Sequence, residues 1–75
     1  MIMTENITFH LRGDEDFIPL QSLLKAVNVV QTGSEAAAAI SVGLVLRDGA
    51  PELRRRAKIR SGEVVEFDHY RIEVL

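Results

Sequence analysis

Three features of this 75-residue chain predict an α+β domain: an alternating apolar run near the start, two stretches of helical periodicity in the middle, and short apolar segments divided by glycine turns toward the end. The helices come before most of the strands, and no strand-helix-strand repeat is present. The expected architecture is therefore a two-helix hairpin packed on a small, mostly antiparallel sheet of short strands. The length allows one domain, spanning residues 1–75, with residues 1–6 expected to lie outside the ordered fold. A domain of this size buries about 60% of its unfolded surface, and a hydrophobic fraction of 47%, mostly Val, Leu, Ile and Ala, is enough for one core.

Taken in order, Ile7-Thr8-Phe9-His10-Leu11 alternates with period two, which is the pattern of a half-buried strand. Arg12 to Asp16 is a polar turn. Pro19 suits the first turn of a helix, and Leu20, Leu23, Leu24 and Val27 follow at helical spacing, with Asn28 at the expected end. Thr32-Gly33-Ser34-Glu35 has the spacing of a capping box, with the Thr32 hydroxyl accepting from the Glu35 N–H and the Glu35 carboxylate reaching back to Thr32. A second helix should run from there through the alanines to Gly43. Leu44 to Arg47 is strand-like, and Asp48-Gly49 predicts a tight hairpin turn because both positions tolerate positive φ. The return arm, Ala50 to Arg54, contains Pro51, which restricts it to a sheet edge. After Ser61-Gly62, Glu63–Phe67 and Tyr70–Leu75 read as two strands joined by Asp68-His69. Phe9, Phe17 and Phe67 are assigned to the core.

Little in this chain supports catalysis. There is no cysteine, which rules out a disulfide framework and a thiolate metal site. Asp14, Glu15 and Asp16 lack the alternating ligand spacing and closing glutamate of a calcium loop. His10 and His69 have no ligand-spaced partners, and no serine sits in a nucleophile elbow. No enzyme activity, cofactor or metal is expected. No run approaches the roughly 18 apolar residues of a membrane helix, and the start lacks the basic-then-apolar pattern of a signal peptide, so no membrane association and a cytoplasmic location are expected.

Charge is the informative property. The net charge is −2, yet Arg47 to Arg60 carries six basic residues against Asp48 and Glu52, and both flanks are acidic. What binds phosphate is a local field, and here the field is confined to one segment. Arginine's planar fork suits bidentate phosphate contact, and a helix N-terminus presents N–H groups to the same kind of ligand. Arg47, Arg54, Arg55, Arg56, Lys58 and Arg60 are thus the candidate binding residues, with Thr32, Gly33 and Ser34 at the second helix start and Lys25 on the first helix. On an extended backbone Arg54, Arg56 and Lys58 would share one side, with Arg55 on the other.

The spaced pattern Phe17-Ile18-x-Leu20-x-x-Leu23-Leu24-Lys25, Thr32-Gly33-Ser34-Glu35-Ala36 and Ile40-x-x-Gly43-x-Val45-x-x-Asp48-Gly49-x-x-Glu52-x-Arg54-x-Arg56-x-Lys58-Ile59-x-x-Gly62-x-x-Val65 resembles the S4-like RNA-binding domain, also called the αL motif, and in particular its small stand-alone bacterial members. The resemblance covers about residues 9–75. It implies a non-catalytic module that binds structured RNA, ribosomal or transfer RNA among the choices, through the second helix start, the hairpin and the basic segment. Two departures from the family pattern stand out. Ala37 stands where a lysine is usual, and Leu46-Arg47 reverses the usual order of a basic or polar residue followed by valine, which would exchange the two sides of that strand. An alternative with the same fold is a protein-interaction module whose RNA face is partly lost, docking through the edge near Pro51 or as a homodimer. With few aromatic residues, base stacking is expected to be minor and recognition to follow RNA shape.

Overall fold

The computed structural model describes residues 3–75. In chain order its elements are β1 (Glu5–Phe9), β2 (Ile18–Pro19), α1 (Leu20–Ala26), α2 (Gly33–Ser41), β3 (Val45–Arg47), β4 (Ala50–Pro51), β5 (Lys58–Ile59), β6 (Val64–Phe67) and β7 (Tyr70–Val74). Five strands form one sheet in the order β1-β7-β6-β3-β4, and β2 pairs with β5 in a separate two-residue ladder. The architecture is α+β, with two helices and a mostly antiparallel sheet. The exception is β1, which runs parallel to β7 with Ile7 opposite Ile72.

The turns have local chemical causes. Asp48 and Gly49 have φ of 49° and 87°, so both central positions of the β3–β4 turn lie in the left-handed region that a type I′ hairpin requires. Asn28 ends the first helical segment with φ of 62°, and Asp68 turns β6 into β7 with φ of 56°. Pro51 lies on β4, at the sheet edge, where a missing N–H costs no ladder bond. The Thr32 hydroxyl accepts from the Glu35 N–H at 3.1 Å and caps α2. The other half of the expected capping box is displaced by one residue, because the Glu35 carboxylate accepts from the N–H of Gln31 at 3.3 Å.

The core joins Leu20, Leu23 and Leu24 of α1 and Ala36 and Ile40 of α2 to Val45, Val65, Ile72 and Val74 of the sheet. Ala57 and Ile59 are buried in the same cluster. Their burial positions the site, because it fixes the basic segment to the core by alternate residues. Of the alanines of α2, Ala36 and Ala39 are buried, and their small side chains permit a close approach of the helix to the core.

Four expectations need correction. The first strand begins at Glu5 and ends at Phe9, so Glu5 and Asn6 belong to a strand, while residues 1 and 2 lie outside the described residues. Pro19 precedes α1 instead of opening it: its ψ of 140° is extended, because it pairs with Lys58 in the short β2–β5 ladder. That ladder has no counterpart in the sequence pattern, since two residues are too few to carry a period. Finally, Phe9 and Phe67 pack on the core but Phe17 does not, although it is half-buried.

Candidate nucleic-acid interface

The basic segment is held from beneath by its backbone. The first two N–H groups of α1, on Leu20 and Gln21, donate to the carbonyls of Ala57 and Arg55, each at 2.9 Å. These bonds satisfy donors that a helix start otherwise leaves open. A turn at Arg55-Arg56 is closed by the Ala57 N–H donating to the Arg54 carbonyl at 3.1 Å. From Ala57 onward the chain alternates, with Ala57 and Ile59 buried and Lys58 and Arg60 exposed. Arg54, Arg55 and Arg56 are all exposed as well, because the turn breaks the alternation there.

The result is an open groove of about 430 Å³ lined by Arg47, Arg54, Arg56, Lys58 and Arg60, with Ala57 at its base. Arg54, Arg56 and Lys58 do share this groove, although the turn at Arg55-Arg56, and not an extended alternation, brings them there. Arg55 faces a different cleft, of about 500 Å³, which it shares with Arg56 and with Phe17, Pro19, Gln21 and Ser22. Among the described residues, Arg55, Arg56, Lys58 and Arg60 have no carboxylate partner.

Arg47 differs from these four. Its Nε and one terminal nitrogen donate to the two oxygens of Glu63 at 2.7 and 2.9 Å, in a bidentate pair. The same terminal nitrogen reaches the Lys58 carbonyl at 2.8 Å, and the other reaches Glu52 at 3.2 Å. Its side chain is only 22% exposed. The reversal of Leu46 and Arg47 turns a charged side chain partly inward, and two carboxylates make that position tenable. Arg47 therefore fastens β3 to the basic segment and has little donor capacity left for a ligand.

Glu52 is shared. Its carboxylate accepts from the Arg54 side chain at 3.2 Å and from the Arg54 N–H at 3.1 Å, as well as from Arg47. Those contacts, the Arg54 side chain foremost, hold its carboxyl at about 2, against an ordinary 4.5. The Arg54 side chain is 75% exposed, so water screens its hold on Glu52 more than that of Arg47. Glu63 is also held below the usual carboxylate range, chiefly by Arg47 and then by the Arg60 N–H, which donates to it at 2.7 Å.

The remaining sequence-derived candidates divide. At the start of α2 the Thr32 hydroxyl is occupied by its own cap and the Glu35 carboxylate adds negative charge, while the Ser34 side chain is exposed. The Gln21 side chain connects this turn to the Arg55 cleft: its amide nitrogen would lie 2.8 Å from a Cβ placed on Gly33. Lys25, in the last turn of α1, lines neither groove. Phe17, Gln21 and Ser22 are not singled out by the sequence, because an aromatic beside Ile18-Pro19 has the pattern of a core residue. No group of three His, Asp or Glu side chains among the described residues could hold a metal, and no helix is long and apolar enough to cross a membrane.

Two short helices packed on a small, mostly antiparallel sheet with a tight hairpin give an α+β domain of the αL class. A similar fold occurs in the solution structure of YbcJ from Escherichia coli, described as having an αL motif involved in RNA binding. It matches with a TM-score of 0.72 and 37% sequence identity over 97% of this chain and 91% of that one. YbcJ of Escherichia coli strain K12 and YbcJ of Shigella flexneri are each 38% identical over 68 residues, covering 91% of this chain and 96% of theirs. A model of the S4 domain matches residues 9–75. The chain belongs to the S4 domain family.

Proposed function

We propose that this domain is a non-catalytic RNA-binding module that takes structured RNA, of the ribosomal or transfer RNA kind, on the groove of residues 54–60 and acts in the cytoplasm. One observation supports this reading above the rest: Arg55, Arg56, Lys58 and Arg60 project without carboxylate partners from a segment anchored by buried Ala57 and Ile59. Because the backbone is already anchored to the core, phosphate binding has to order the side chains but not the segment that carries them. Arg54 contributes by exchanging Glu52 for a phosphate, and Ser34 with the first N–H groups of α2 serves as a secondary contact. Arg47 keeps the groove in shape. The RNA-binding αL motif described for YbcJ agrees with this reading.

A second reading has its own observation. Val42 and Leu44 are 69% and 60% exposed, and with Val29, Ala38 and Phe67 they line an apolar groove of about 440 Å³. A protein-docking role would use that surface. Titration with a short RNA hairpin at several salt concentrations separates the two readings. RNA binding should weaken with salt, at a slope in log affinity against log salt of about 0.7 to 0.9 per phosphate neutralised. Absence of binding at low salt by the folded domain would reject the RNA reading.

A further inference from the structure

Among the described residues, Phe17 is the only phenylalanine that does not pack on the core, although it is half-buried. Its ring instead borders the cleft of about 500 Å³ together with Pro19, Gln21, Ser22, Arg55 and Arg56. The Lys58 ammonium stands over the ring at 5.1 Å from its centroid, and Lys58 lines the neighbouring basic groove instead of this cleft. The cleft combines two flat apolar surfaces, an amide and a hydroxyl able to donate and accept, and two guanidinium groups without carboxylate partners. Its volume falls within the range of about 300 to 1,000 Å³ typical of small-molecule sites.

We propose that this cleft receives one unpaired nucleotide of the bound RNA. The base lies against Phe17 and Pro19, its polar edge meets Gln21 and Ser22, and its phosphate is held by Arg55 and Arg56. Arg56 lines both this cleft and the basic groove, so a backbone tracking the groove passes directly into the cleft. A base inside a duplex cannot present its face to a protein ring, whereas a bulged or loop base can. The ligand class is therefore structured RNA with an unpaired nucleotide beside the helix. Recognition would not depend on backbone shape alone, contrary to the expectation drawn from the low aromatic content.

This inference rests on the RNA-binding reading, and its test keeps the two apart. Two RNA hairpins are compared that differ only in one bulged nucleotide, carrying a fluorescent adenine analogue at the bulge. The intact domain should bind the bulged hairpin about tenfold more tightly, as expected for one base stacked on an aromatic ring, and should change the analogue's fluorescence. Phe17→Leu, which keeps an apolar side chain but removes the aromatic face, should abolish the preference and the fluorescence change. Because Phe17 is half-buried, Ser22→Leu at an exposed helix position provides a second variant that adds bulk to the cleft without an aromatic face. It should also abolish the preference. Equal binding of both hairpins by the intact domain, or a preference retained in both folded variants, would overturn the nucleotide site and leave the groove reading standing. Failure to bind either hairpin would overturn both.

Discussion

Arg47 and the Arg55–Arg60 segment border one region of the surface, yet Arg47 ends on two carboxylates and a carbonyl while Arg55, Arg56 and Arg60 are exposed with side chains that meet no carboxylate among the described residues. The residue type is the same and the role is opposite. The difference lies in the partners that the fold brings up: Glu63 and Glu52 stand sixteen and five positions away in sequence, and Arg47 is the one side chain among the described residues that bonds both. A guanidinium whose donors are committed to carboxylates is a fastener, whereas one held out from a buried anchor is available to a ligand. Counting basic residues in a stretch cannot separate the two.

The contrast breaks most visibly at Arg47. Arg47→Ala leaves the partly buried Glu63 and Glu52 without their shared cation and should cost about 2 kcal/mol of stability. Urea unfolding measures this. RNA affinity of the fraction that remains folded should change far less, and a large drop in affinity with unchanged stability would reverse the assignment.

The same network sets an acid limit. Glu52 titrates at about 2 in the folded protein, against an ordinary 4.5, so its contribution is complete above its unfolded value and fades as the pH falls toward 2. Thermal midpoints should therefore be flat above about pH 5 and decline below it. Glu52→Gln should give a lower midpoint at neutral pH but a shallower decline on acidification. An equally steep decline in the variant would assign the acid sensitivity to other groups.

On the solvent side, Arg55→Ala combined with Arg56→Ala should leave the unfolding curve nearly unchanged, since both side chains are exposed and unpaired. The slope of log affinity against log salt should fall by about 0.7 to 0.9 for each phosphate that the variant no longer neutralises. The smallest effect on RNA affinity is expected at the start of α2, where Thr32→Ala removes a helix cap worth about 1 kcal/mol of stability. A strong drop in RNA affinity in that variant would promote the helix start from a secondary contact to a primary one.

Much of the fold was legible because local chemistry decided it. The positive φ at Asp48-Gly49 and Asn28, the Thr32 cap and the Pro51 edge position each follow from one or two residues. The parallel β1–β7 pair was not legible, because strands that meet from opposite ends of a chain leave no local trace. The short β2–β5 ladder escaped for a related reason, and with it the extended conformation of Pro19. At the candidate site, the charge run marked the segment that forms the basic groove, and the turn at Arg55-Arg56 decided which side chains share that groove. The roles of Arg47 and Phe17 depended on tertiary neighbours, which charge density and hydrophobicity do not encode.

The most direct test is an NMR titration of isotope-labelled protein with a short structured RNA, at low and then at physiological salt, following backbone amides and arginine Nε–H signals. Shifts concentrated in residues 54–60, reversed by salt, with the Arg47 Nε–H signal nearly still, would match a face of free cations held by a fixed strut. A folded spectrum without shifts at low salt, or shifts confined to Val42, Leu44 and Phe67, would contradict it.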